Sequence, residues 1–239
     1  MNMILLREED FRSGSSRFEI RGRRFEHWRK VLRGRESAQF GVLNGMIGIG
    51  ALVKSDAESA EFEFQALCPP PPPLPVTVVM ALPRPQTLKK SILSAVGFGV
   101  KRLIYIGTRK VEKSYWDSPL LERPRLDMEI ILALEQAVDT LWPEVEFAPD
   151  LRRFMAEEFP ELSSGRRCLI AHPGSAEAEV FPLPAGEETV VVLGPEGGFT
   201  PGEVELFEAR GARRVNLGPR ILRTEIALSA LLGLLAVRG

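Results

Sequence analysis

The chain of 239 residues is poor in the side chains that build metal sites and disulfide frameworks: it has two cysteines, Cys68 and Cys168, and two histidines, His27 and His172. A structural zinc site needs about four such ligands at close spacing, so no metal is expected. The cysteines read as reduced thiols of a cytoplasmic protein. Long apolar runs are also missing. The longest, Ile226 to Val237, falls well short of the roughly 20 residues that span a bilayer and reads as a buried helix. No apolar segment of export-signal length follows Met3-Ile4-Leu5-Leu6, which gives way at once to Arg7, Glu8, Glu9 and Asp10. Phosphate-cradling fingerprints are absent as well. There is no GxxxxGK[ST], and no GxGxxG with a ribose-binding acid about 20 residues later. That argues against an NTPase and against dehydrogenases and methyltransferases of Rossmann type.

What the chain does have is an ordinary soluble composition, 44% hydrophobic and 26% charged, with its charge unevenly spread. The first 35 residues hold nine arginines and one lysine against five acids, while the whole chain carries a net −1. An arginine-rich segment on an otherwise acidic protein suggests a polyanionic partner, with a solvated face as the alternative. The preference for arginine over lysine favours phosphate, which the guanidinium fork grips bidentately.

The run Pro69-Pro70-Pro71-Pro72-Pro73-Leu74-Pro75 cannot join a helix or a central strand, and reads as a stiff spacer. It divides the chain into residues 1–68, the linker 69–75 and residues 76–239. The first part carries short strand candidates at Met3–Arg7, Ala38–Leu43, Ile47–Lys54 and Glu61–Cys68, and Asn44-Gly45 signals a hairpin. One helix is expected over Arg24 to Arg33, with Trp28 in the core. The pattern predicts a small β-barrel.

After the prolines, short apolar strands (Val76–Leu82, Arg102–Ile106, Val145–Ala148, Cys168–Ala171, Thr189–Leu193, Arg214–Leu217) alternate with helical stretches. The longest stretch, Arg125 to Trp142, aligns Leu126, Ile130, Leu134, Val138 and Leu141 on one stripe. This predicts an α/β fold with a parallel sheet and helices on both faces.

Ligands of parallel sheets bind at the carboxyl ends of strands, and two glycine loops fall at such ends. The first is Leu193-Gly194-Pro195-Glu196-Gly197-Gly198-Phe199, running into a capping box at Thr200-Pro201-Gly202-Glu203, with Gly211 closing the helix. The second is Leu217-Gly218-Pro219-Arg220-Ile221-Leu222-Arg223-Thr224-Glu225, before the terminal apolar helix. Taken singly, either loop could be a tight strand ending; side by side, they offer backbone NH and C=O groups to an adenine edge and a ribose.

Together and in this order, LGPEGGFTPGE and LGPRILRTE resemble the ribosomal RNA small-subunit methyltransferase E (RsmE-type) family of the SPOUT superfamily. His27-Trp28-Arg29-Lys30-Val31-Leu32-Arg33, Glu135-Gln136 and the strand ending in His172-Pro173 are similar to its other motifs. The resemblance implies a PUA-like, RNA-binding β-barrel followed by a SPOUT methyltransferase domain with a trefoil knot, acting as a homodimer. The implied reaction is S-adenosylmethionine-dependent N3 methylation of uridine 1498 in 16S rRNA of the small ribosomal subunit. The implied cofactor residues are Ala171, His172, Leu193, Gly194, Glu196, Gly197, Gly198, Leu217, Gly218, Ile221 and Leu222. His172 could equally be a satisfied strand-end residue.

An anion must develop on the uracil as N3 loses its proton. Arg223 or Arg220 would stabilise it, together with the last helix N-terminus capped by Thr224; Glu225 or a water would accept the proton. Arg7, Arg12, Arg23, Arg24, Arg29, Lys30 and Arg33 are the candidate phosphate contacts. Departures from the family pattern fall at Ser94, Gly97, Asp139 and Ile226, leaving open a SPOUT methyltransferase of another RNA or a ribose hydroxyl. A catalytically silent RNA-binding assembly factor is a further alternative.

Overall fold

The computed structural model describes residues 3–173 and 187–237. The chain forms two compact units, Met1–Pro72 with Ile131–Trp142, and Pro73–Ile130 with Pro143–Gly239. The return of residues 131–142 to the first unit was not anticipated from the proline run alone. Among the described residues no helix is long and apolar enough to cross a membrane.

The N-terminal unit is a curled five-stranded sheet. Its strands are β1 (Ile4–Leu6), β2 (Arg17–Arg21), β3 (Ser37–Val42), β4 (Ile47–Ser55) and β5 (Ser59–Cys68), in the order β1-β3-β4-β5-β2. β1 runs parallel to β3 and the other pairings are antiparallel. The hairpin between β3 and β4 turns at Asn44, whose φ of 55° is a left-handed value that asparagine tolerates well. Phe18, Phe40 and Phe62 close the core, with Trp28 edge-on to Phe62 at 5.5 Å. Gly50 is required there, because a Cβ would lie 2.6 Å from the Phe40 ring. β2 was missed in the sequence, hidden inside the basic segment, although Phe18 and Ile20 alternate inward in it.

Helix α1 (Gly22–Lys30) starts two residues before its expected position and stops three early. Arg33 and Gly34 both adopt positive φ, and the Gly34 NH bonds the Trp28 carbonyl, which ends the helix. Trp28 is buried as expected, and its indole NH donates to the Arg35 carbonyl at 2.9 Å.

The C-terminal unit holds a wholly parallel sheet. Its strands are β6 (Val76–Ala81), β7 (Arg102–Ile106), β8 (Glu144–Ala148), β9 (Arg167–Ala171), β10 (Thr189–Leu193) and β11 (Arg213–Val215). The order is β11-β9-β10-β6-β7-β8. Residues such as Val190, Val192, Ile170 and Ile104 are wholly buried, as a sheet covered on both faces requires. The principal helices are α2 (Pro85–Gly97), α3 (Lys113–Trp116), α4 (Arg123–Ala137), α5 (Leu151–Glu157), α6 (Phe159–Ser163), α7 (Pro201–Glu208) and α8 (Thr224–Ala236).

The expected helix from Arg125 to Trp142 ends five residues early. Leu126, Ile130 and Leu134 are buried along it, but Val138 sits at φ 56° and Leu141 lies beyond its end. The reason is competition for backbone groups. The Thr140 carbonyl accepts the Asn44 NH at 2.7 Å, and the Trp142 NH donates to the Asn44 side chain at 2.8 Å. The hairpin turn thereby takes the partners that a longer helix would use. The boundary between the two units falls inside α4, between Ile130 and Ile131.

Candidate active site

The site begins with sheet register. Val215, Ala171 and Leu193 share one rung at the ends of β11, β9 and β10, with Met80 of β6 beside them, so the chain leaves three neighbouring strands at the same height. The turns that follow line an open cleft of about 260 Å³. Ala171, His172, Leu193, Gly194, Glu196, Gly197, Gly198, Leu217, Ile221 and Leu222 all line it. Of the candidate cofactor residues only Gly218 does not. Its φ of 115° instead serves the turn, where its NH donates to the Asn216 side chain at 3.0 Å. Pro173, Pro195, Phe199, Val215, Asn216 and Ala227 also face the cleft, and sequence reasoning had not singled them out.

The first glycine loop is braced from two sides. Thr200 and Glu203 form the expected capping box of α7, the Glu203 Oε2 accepting both the backbone NH and the hydroxyl of Thr200. The other oxygen of Glu203 accepts the Arg109 NH at 2.7 Å, so the turn after β7 is fastened to the same carboxylate. The Lys110 amine then donates to the Gly197 carbonyl at 2.7 Å, and its aliphatic stem lies 3.1 Å from where a Cβ on Gly197 would stand. A Cβ on Gly194 would meet the Phe199 ring at 3.0 Å and the Phe199 backbone nitrogen at 3.1 Å. Gly194 thus packs tightly against Phe199, whereas the neighbour of Gly197 is a flexible side chain.

His172 is half-buried at the cleft. Burial lowers its pKa, and the nearby Arg214 lowers it further against an opposing pull from Glu208, so the ring is neutral at pH 7. Its backbone NH donates to the Val215 carbonyl at 3.1 Å, which ties the ends of β9 and β11 together.

The four candidate catalytic residues separate. Arg220 and Thr224 line the cleft; Arg223 and Glu225 do not. Arg223, not Thr224, occupies the N-cap of α8 and makes no side-chain cap bond; Thr224 is the first helical residue. Glu225 is turned to the Lys90 amine on α2, at 3.3 Å. Its own backbone NH lowers its pKa most, and Lys90 lowers it further against the effect of burial. It is therefore a firmly ionised carboxylate and a weak proton acceptor.

The N-terminal basic residues are mostly engaged. Arg23 makes two bonds to Glu135, at 2.8 and 2.9 Å, and Glu135 is 1% exposed. Glu135 also accepts the Leu5 NH at 3.1 Å, which accounts for the acid of the Glu135-Gln136 pair as a structural anchor. Arg24 grips Asp10 bidentately. Arg7 pairs with Glu9, Arg12 with the buried Glu61, and Arg29 and Lys30 share Glu26. Arg33 is exposed at the end of α1. The departures from the family pattern have local roles as well: Ser94 bonds Ser229 across α2 and α8 at 2.8 Å, and Asp139 accepts the Leu141 NH at 2.9 Å.

Residues 70–236 match the family model described as an RNA methyltransferase domain. The chain is 28% identical over 241 residues to ribosomal RNA small subunit methyltransferase E of Treponema pallidum, covering 96% of this chain and 88% of that protein. It is 23% identical to ribosomal RNA small subunit methyltransferase E 1 of Borreliella burgdorferi, covering 96% and 95%. Among solved structures, ribosomal RNA small subunit methyltransferase E of Neisseria gonorrhoeae, bound to S-adenosyl methionine, matches with a TM-score of 0.72. That match has 20% identity and covers 98% of this chain and 95% of the other. Lpg2936 of Legionella pneumophila, solved with the cofactor SAM, matches with a TM-score of 0.74 at 22% identity, covering 98% and 96%. At such identities the structural likeness speaks for the fold.

Proposed function

The chain belongs to the RNA methyltransferase family, and on that premise we propose that it methylates N3 of uridine 1498 in 16S rRNA with S-adenosylmethionine as donor. The observation that carries the reading is the convergence of three strand ends on one cleft, lined by every candidate cofactor residue but Gly218. The chemistry of the lining fits the cofactor: tight glycine turns expose backbone donors and acceptors, a neutral His172 adds no positive charge against a sulfonium, and Leu193, Leu217 and Leu222 supply apolar walls.

Bound there, S-adenosylmethionine supplies an activated methyl group. The chain's own residues must accommodate the uracil, whose N3 lies on the pairing edge and is reached only when the base is splayed out. Arg220, inside the cleft, is placed to stabilise negative charge on the uracil oxygens, and the N-terminus of α8 at Thr224 adds to it. Arg223, immediately before, acts from the rim. The N3 proton leaves to water, because Glu225 is paired with Lys90 and does not line the cleft. Much of the acceleration then comes from alignment of donor and nucleophile, which needs no dedicated base.

The functional unit in this proposal is a homodimer. Supporting it, Leu93 on α2, Phe98 at its C-cap, and Ile226 and Leu234 on α8 are exposed, on two helices that pack together. Sedimentation should return twice the chain mass.

Methyl transfer from labelled S-adenosylmethionine into small ribosomal subunits, followed by nucleoside mass spectrometry, tests the reaction. The label is expected in 3-methyluridine. Its appearance in a ribose-methylated nucleoside, or in none, would overturn the proposal.

A further inference from the structure

Which cations hold the RNA is a question that charge counting and ion pairing answer differently. Most of the arginines clustered near the N-terminus face carboxylates, and Arg23 and Arg24 are held bidentately by Glu135 and Asp10. A guanidinium already gripped in this way must give up that partner before it can take a phosphate. Even the exposed pairs of Arg29 and Lys30 bring an acid, Glu26, that repels the backbone of a nucleic acid.

The turns around the cleft show the opposite pattern. Among the described residues, Arg84, Arg109, Arg220 and Arg223 have no carboxylate within ion-pair distance, and all four are exposed. Each adjoins the cleft through its own stretch of chain. The Arg84 NH donates to the cleft-lining Glu196 at 3.3 Å, while its side chain is steadied by the Thr87 hydroxyl at 3.2 Å. The Arg109 NH is held by Glu203, and the next residue, Lys110, binds the carbonyl of cleft-lining Gly197. Arg220 lines the cleft and Arg223 precedes cleft-lining Thr224. The turns after β6, β7 and β11 thus carry four arginines without ion-pair partners on stretches of chain that adjoin one opening.

Resting on the methyltransferase reading above, we propose that Arg84 and Arg109 are RNA-backbone contacts, gripping the phosphates that flank the target base, with Arg220 and Arg223 completing the ring nearest the reacting atoms. Backbone contacts hold the strand in register without reading its sequence, which is what a splayed-out base needs from its neighbours. Because the backbones of Arg84 and Arg109 carry the cleft-side hydrogen bonds, replacing their side chains leaves those bonds in place.

The test uses the full chain, unmodified small ribosomal subunits as probe, and affinity measured across a salt series. The double variant Arg84→Gln with Arg109→Gln is expected to bind about tenfold to a hundredfold more weakly and to lose about one unit of salt slope per phosphate contact removed. Binding of S-adenosylhomocysteine by calorimetry should remain at the wild-type value, which shows that the fold and cleft survive. The pair Arg29→Gln with Lys30→Gln should lose less than half as much slope. An unchanged slope in the first variant, or an equal loss in the second, would overturn this inference while leaving the reaction intact. Wild-type protein that bound neither subunits nor S-adenosylhomocysteine would overturn the functional reading and this inference with it.

Discussion

The two arginine-rich regions of this protein are chemically alike and electrostatically opposite. Near the N-terminus, Arg23 and Arg24 are half-buried and ion-paired with Glu135 and Asp10; around the cleft, Arg84, Arg109, Arg220 and Arg223 are exposed and form no ion pair among the described residues. The difference teaches that a local excess of positive charge marks where cations are encoded, not where they are available. A guanidinium that satisfies a buried carboxylate is part of the core, whatever its charge suggests in one dimension.

Replacing Arg23 should produce the largest effect. Arg23→Ala strands the carboxylate of Glu135 in the interior and should cost about 3 kcal/mol in a chemical denaturation experiment, a typical penalty for breaking one side of a buried pair. Arg23→Met combined with Glu135→Gln, whose amide oxygen still accepts the Leu5 NH, should recover part of that loss. Recovery would identify the buried charge as the cause, and its failure would point to lost packing instead. On the functional side, Arg223→Ala at saturating cofactor should lower turnover about a hundredfold while leaving stability unchanged. Wild-type turnover would remove Arg223 from the site and leave Arg220 alone in that role.

Smaller effects sharpen the contrast further. Gly194→Ala puts a methyl group against the ring and backbone of Phe199, and should weaken S-adenosylhomocysteine binding about tenfold by calorimetry. The mildest case is Asp10. Burial raises its pKa, but the hydrogen bonds from Arg24 and the Arg7 NH outweigh it and hold the carboxyl below its ordinary value. A depressed folded pKa contributes stability that is fully present above the unfolded value and is lost as pH falls through the folded one. Asp10→Asn should therefore destabilise the protein at pH 7 and match the wild type well below pH 3.8. A pH-independent difference would mean that the Asp10–Arg24 pair contributes through shape alone.

Much of the fold was legible because its signals are local. Apolar runs such as Val190-Val191-Val192 announced buried parallel strands, Thr200 through Glu203 announced a helix start, and Asn44-Gly45 announced a hairpin. The cleft was legible because two glycine turns fall at strand ends in one chain; either alone could be a tight strand ending. What escaped depended on distant partners. The end of α4 is decided by a turn nearly a hundred residues away, and β2 pairs with β5 some 40 residues on. Glu225 was a reasonable base on sequence grounds, and only the packing of α2 against α8 brings Lys90 to it.

The sequence by itself determined the periodicities, the caps and the two glycine loops, and with them an α/β unit whose strand ends form a pocket. Only tertiary structure decided which charged groups meet, because ion pairing is set by proximity in space: Arg23 and Glu135 lie 112 positions apart and yet share two hydrogen bonds. Backbone geometry propagates along the chain, whereas electrostatic neutralisation acts across it.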